Sequence, residues 1–127
     1  DFNGDGYVDI AACHEKLGCF VYLNDGKGHF GSGIRFDSPK AEPYSMLAAD
    51  LNRDERPDII VGYVNSPAVV YFNDGTGKKF RTLPFGDGKG TIYGMASADL
   101  DGDGWLDVAA ARSDAPSFVM FNRRLRK

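Results

Sequence analysis

The chain has 127 residues, 43% of them hydrophobic and 13% aromatic, which is a globular balance of one-domain size with no apolar run near the ~18 residues that span a bilayer. Its net charge of −3 comes without a basic stripe interleaved with aromatic residues, which argues against a nucleic-acid binder. There is no initiator Met and no signal-like start, so the sequence is silent on targeting, and a start on the first residue of a motif reads as a cut from a longer chain.

The chain opens on Asp1-Phe2-Asn3-Gly4-Asp5-Gly6-Tyr7-Val8-Asp9, the first of three acidic loops, of which the one at 99–107 carries carboxylates at 99, 101, 103 and 107 with glycines at 102 and 104. Like charges at that density repel, and a hard cation held through oxygens turns the repulsion into coordination; calcium, with its six to eight flexible oxygen ligands, suits the spacing best. Cys13 and Cys19 then flank a hairpin loop. They read either as a cross-strand disulfide, which fits an oxidising compartment, or as two buried thiols. Zinc is unsupported, because Cys13, His14 and Cys19 lack a fourth ligand. Asn24-Asp25-Gly26-Lys27-Gly28 supplies the positive-φ residues of a second hairpin.

The middle of the chain holds a complete unit. It reads as a first strand at 45–49, an acidic loop at 50–58 (Asp50, Asn52, Asp54, Asp58), a second strand at 58–63 and a third at 68–72. Asn73-Asp74-Gly75-Thr76-Gly77 then makes the hairpin into a fourth strand at about 79–82. The third loop, Asp99-Leu100-Asp101-Gly102-Asp103-Gly104-Trp105-Leu106-Asp107, runs straight into Val108-Ala109-Ala110-Ala111. No segment carries capped 3.6-residue periodicity, so essentially no helix is predicted. Arg123, Arg124, Arg126 and Lys127 read as a solvated basic end rather than a binding arm.

The loops begin at 1, 50 and 99, a period of 49, and Tyr22, Tyr71 and Met120 keep that period, as do Asn24, Asn73 and Asn122. Four short antiparallel strands recurring every 40 to 50 residues are the pattern of a β-propeller blade. The predicted fold is therefore all-β: residues 1–127 form a partial propeller of three, four and three strands, about two and a half to three blades of a ring of about six to eight. Exposed blade faces make a lone monomer unfavourable. The ring is expected to close with the remaining blades of a parent chain or by self-association.

The repeats resemble the FG-GAP or VCBS class of calcium-binding propeller blades, as in the N-terminal propeller of integrin alpha subunits and many secreted bacterial proteins. The resemblance rests on Asp-x-(Asp/Asn)-x-Asp-x-x-x-Asp before a hydrophobic strand three times, and on Tyr-Leu-Asn-Asp-Gly-Lys-Gly and Tyr-Phe-Asn-Asp-Gly-Thr-Gly. It implies calcium sites built from Asp1, Asn3, Asp5, the Tyr7 carbonyl and Asp9; from Asp50, Asn52, Asp54, the Arg56 carbonyl and Asp58; and from Asp99, Asp101, Asp103, the Trp105 carbonyl and Asp107. The second site departs from the pattern, with Arg53 and Glu55 in place of glycine. A positive φ at Glu55 would cost on the order of 1 kcal/mol, and Arg53 would bring positive charge near the metal, so this site ranks weakest. In the first site a free α-amino group would sit beside the ion. An EF-hand is excluded, because its closing Glu would fall at Ala12, Val61 or Ala110 in β-type runs.

The ten ligand carboxylates of the loops account for the acidity: without them a net −3 becomes +7, and three calcium ions would bring the whole to +3. Weak calcium sites fill outside cells, which favours an extracellular, cell-surface or periplasmic setting. Antiparallel order puts the acidic loops at one end of the blade and His14, Tyr44, Tyr63, Tyr93 and Arg112 at the other. Tyr44 and Tyr93, one period apart, read either as packing residues or as an aromatic platform for sugar or peptide.

Catalysis finds little support. Neither His14 nor His29 lies in a nucleophile pattern, 86–90 lacks the Gly-Lys-Ser/Thr ending of a phosphate loop, and Asn65-Ser66-Pro67 is no glycosylation acceptor. The expected function is a calcium-stabilised binding or adhesion module for carbohydrate or protein. Part of a secreted polysaccharide- or lipid-cleaving enzyme, and a purely structural repeat, are the alternatives.

Overall fold

The apolar run that follows each acidic loop forms the middle of a sheet. The computed structural model describes residues 1–38 and 41–123, and over them the chain is all-β, with ten strands and no helix. Arg124, Arg126 and Lys127 of the basic end lie outside the described residues. The first repeat contributes β1 (Ile10–His14), β2 (Gly18–Tyr22) and β3 (Ile34–Arg35), paired in that order. The second contributes β4 (Pro43–Ala49), β5 (Asp58–Tyr63), β6 (Ala68–Asn73) and β7 (Phe80–Phe85), again side by side. The third contributes β8 (Thr91–Ala98), β9 (Asp107–Ser113) and β10 (Phe118–Met120). Every neighbouring pair is antiparallel.

Two boundaries differ from the sequence reading. Strand β4 begins at Pro43, two residues earlier than expected, because a register shift between Pro43 and Ser45 lets pairing continue past one extra residue, Tyr44. The same shift recurs in β8 around Tyr93. Strand β7 runs on to Phe85, carrying Pro84 on an edge strand where no further ladder bond is required of it.

The core lies between the sheets, and period-two alternation decides which side chain goes where. All six residues of β5 are buried because sheets cover it on both faces. Ile59, Val61 and Tyr63 cluster with Phe2, Cys19 and Val21 of the first repeat, whereas Ile60 clusters with Leu51, Val70 and Val108 toward the third. Each such side chain contributes about 1.5–3 kcal/mol by leaving water. On the hairpin of β1 and β2, Cys13 and Cys19 face each other in register with Cα atoms 4.0 Å apart and form a disulfide.

Candidate metal-binding loops and the opposite end

Each acidic loop is wound around its first aspartate. In the third loop Asp99 Oδ1 accepts the Gly102 and Asp103 N–H groups at 2.8 and 3.1 Å, and Oδ2 accepts that of Gly104 at 2.9 Å. Asp1 does the same for Gly4, Asp5 and Gly6, and Asp50 for Asp54 and Glu55. The winding requires a left-handed backbone at two positions. Glycine supplies it at 102 and 104, but the second loop has Arg53 at φ 60° and Glu55 at φ 65°. That loop keeps the shape of the others despite lacking their glycines, at an order of 1 kcal/mol per residue. Arg53 stacks over the Trp105 ring of the next loop, 5.4 Å from its centroid, so its side chain is directed toward the third loop. Arg56 packs against Gly4 of the first.

The ninth residue closes each loop from inside the fold. Asp58 and Asp107 are almost fully buried, and each receives two backbone N–H groups: Leu51 and Asn73 for Asp58, Leu100 and Asn122 for Asp107. Asp9 is held likewise by Phe2 and Asn24. Burial pushes the Asp58 carboxyl up to about 6, opposed by those N–H donors and reinforced by Asp54 and Asp50. A carboxylate so placed gains from a nearby positive charge.

The three loops differ in how they balance their own charge. Carboxylate oxygens of Asp99, Asp101 and Asp107 come within 4.8 Å of one another, a grouping that could hold one metal ion. Asp103 stands outside that trio, with Oδ1 accepting the Trp105 N–H. In the first two loops an asparagine replaces Asp101, and the Asn3 and Asn52 amides donate to Asp5 and Asp54 at 2.8 and 2.9 Å. The residues therefore fit a hard cation bound through oxygen, and the third loop has the greatest charge to offset.

Asn24, Asn73 and Asn122 hold these loops to the rest of the fold. The Asn73 side-chain oxygen accepts the Gly75 and Gly77 N–H groups of its own hairpin, while its amide donates to the Pro57 carbonyl at 3.2 Å and the Phe2 carbonyl of the previous repeat at 2.8 Å. Asn122 donates in the same way to Leu106 and, across the repeat boundary, to Leu51 at 2.7 Å. The 49-residue spacing of the three is legible in the sequence, but that Asn73 and Asn122 each tie one repeat to the one before it is not.

The family model for the FG-GAP-like repeat matches residues 1–61 and 50–110, two overlapping copies offset by 49 residues. The chain belongs to the FG-GAP-like repeat family. No curated protein and no solved structure matches it.

At the opposite end of the FG-GAP-like repeats the five residues singled out from sequence have different surroundings. Tyr44 and Tyr93, the two bulge residues, stay 52% and 55% exposed yet meet edge to face with ring centroids 4.7 Å apart. They are at once a packed pair and an exposed aromatic surface. His14 is exposed against the edge of Phe20. Tyr63 is buried, its hydroxyl 2.6 Å from that of Tyr71. The Arg112 side chain is also buried: it binds Asp87 through both carboxylate oxygens, the Lys89 and Pro116 carbonyls, and the face of Phe118. Tyr63 is thus part of the core shared with the first repeat and Arg112 is committed to the β7–β8 connection, leaving His14, Tyr44 and Tyr93 at the surface.

Proposed function

We propose that these FG-GAP-like repeats form a calcium-stabilised β-propeller module that binds an extracellular carbohydrate or protein ligand and is not itself catalytic. The observation that carries the calcium reading is the convergence of Asp99, Asp101 and Asp107 on one point, in a loop whose backbone recurs at 1–9 and 50–58. Calcium would be held by the side chains of the first, third, fifth and ninth residues of each loop and the carbonyl of the seventh. It would supply positive charge to the turn, with Asp9, Asp58 and Asp107 linking it to the starts of β1, β5 and β9. The loop at 99–107 is the strongest of the three. The disulfide suits an extracellular, cell-surface or periplasmic setting.

The exposed Tyr44–Tyr93 pair supports the binding role, because two edge-to-face rings present an apolar surface on which a sugar face or peptide side chain can rest. For partners, Leu100 is informative. Phe2 and Leu51, its equivalents, are 5% and 2% exposed under the following repeat, but Leu100 is 51% exposed. A further blade, from the same polypeptide or a second copy, would cover it.

Calorimetry in EDTA against about 1 mM calcium tests the central claim. With dissociation constants near 0.1 mM each occupied site adds ~1.4 kcal/mol, so the melting temperature should fall clearly on chelation, and Asp99→Asn should remove the part of the difference that the loop at 99–107 contributes. An unchanged melting temperature would sink the calcium reading.

A further inference from the structure

A cavity of about 470 Å³ opens between the first two repeats, at the end away from the acidic loops and beside the edge strand β7. Its walls include Phe36, Asp37, Tyr63, Val69, Tyr71 and Pro84. The size is that of a small-molecule site. The Asp37 side chain is closed to solvent, and its Oδ1 accepts from Arg35 Nε at 3.1 Å. Its Oδ2 is the one buried side-chain oxygen or nitrogen without a hydrogen-bond partner among the described residues. A buried carboxylate oxygen with no donor is costly and uncommon, which points to a donor supplied from outside.

The chemistry of the walls narrows that donor. Among the described residues that line the cavity none is a cation, so the formal charge they bring is the Asp37 carboxylate, offset from one side by Arg35. Tyr63 and Tyr71 share a hydrogen bond, and burial raises both phenols well above their ordinary value, keeping them neutral with oxygen lone pairs to offer. Phe36 packs edge to face on Tyr71 with centroids 5.0 Å apart, giving an aromatic wall suited to a positive charge. An anion would meet Asp37, and a purely apolar ligand would leave Oδ2 unpaired.

We propose that this cavity binds a primary ammonium on an apolar stem, with Asp37 as the charged acceptor, the tyrosine hydroxyls as neutral acceptors, and Phe36, Val69 and Pro84 around the stem. A small free amine and the side chain of a peptide lysine share that chemistry. This site is separate from the Tyr44–Tyr93 pair and does not depend on calcium being the ion in the acidic loops.

Isothermal titration of the full chain with 2-phenylethylamine and with Nα-acetyl-lysine amide tests the proposal, using 2-phenylethanol as the uncharged counterpart. Saturable binding of at least one amine is expected, weakened tenfold or more in Asp37→Asn and absent for the alcohol. Tighter binding of the free amine assigns a small-molecule ligand; tighter binding of the lysine derivative assigns a peptide. Should Asp37→Asn fail to fold, Thr82→Trp, which fills the cavity from an exposed position on its wall, should weaken binding to a similar degree. Absence of saturable binding by the folded protein overturns the proposal, as does equal affinity for amine and alcohol. Binding seen only in Lys40→Met also overturns it, since the chain's own lysine would then be the occupant.

Discussion

At the scale of single residues, the repeat-linking asparagines dominate. Asn73 accepts two N–H groups and donates to two carbonyls, one of them across the repeat boundary, whereas Asn24 donates to Val8 in its own repeat. Truncating Asn73 strands several buried groups at once. Asn73→Ala is therefore expected to cost about 2–3 kcal/mol, and Asn24→Ala measurably less. Urea denaturation of the two variants compares them directly; equal losses would remove the cross-repeat bond from the explanation. Glu55 makes the opposite case. It occupies a left-handed backbone at φ 65° where the other loops have Gly6 and Gly104. Glu55→Gly should raise stability by up to about 1 kcal/mol, read as a higher denaturation midpoint at unchanged slope. A lower midpoint would mean that the Glu55 side chain has a stabilising role outweighing the backbone strain.

At the scale of elements, the connection from β7 to β8 is secured by charge. Arg112 on β9 reaches Asp87 in that connection and stacks on Phe118 of β10. Its hydrogen bonds, assisted by the Lys89 N–H, hold the Asp87 carboxyl down at about 2. A carboxyl whose folded value is depressed adds stability that is full above its ordinary unfolded value near 4 and is lost as pH falls through about 2. Circular dichroism between pH 5 and pH 2 should accordingly show that Asp87→Asn loses less stability on acidification than the parent. Identical acid limbs would show that the pair contributes nothing. The hairpin of β1 and β2 was open from sequence in one respect, the fate of Cys13 and Cys19, since two cysteines six positions apart do not declare their register. The antiparallel pairing sets them opposite each other.

At the scale of the whole molecule, the interfaces between repeats set the behaviour. Phe2 enters a cluster with Cys19, Val21, Ile59 and Val61, and Leu51 enters one with Ile60, Val70 and Val108. The third sheet presents an open apolar surface that includes Met95, Phe118 and Val119, and Leu100 is exposed as well. The first repeat has the complementary vacancy: Gly77 packs against Phe2, while Gly28, one period earlier, has open space at the same point. Sedimentation of the chain alone should show concentration-dependent association that Leu100→Asp suppresses without lowering the melting temperature. A monomer at all concentrations would rule out a second copy as the cover of this face.

The sequence by itself determined the strand count, the antiparallel order and the position of the acidic loops. These follow from local chemistry, namely short apolar runs, Asn-Asp-Gly turns and loops dense in Asp and Asn, recurring with a 49-residue spacing that chance does not produce. It also exposed the weak point of the second loop, because Arg53 and Glu55 break a pattern visible in its neighbours. Only the tertiary structure decided that the Tyr63–Tyr71 pair is buried while the Tyr44–Tyr93 pair stays exposed, that Arg112 is committed to Asp87, that Arg53 lies over Trp105, and that Asp37 lines a cavity without a donor for its second oxygen. Those facts depend on how one repeat packs on the next, and side chains distant in sequence meet there without any spacing to announce them. Asp37 shows the limit most clearly, since one period on stands Gly86, and no repetition marks the carboxylate that the packing of two sheets has enclosed.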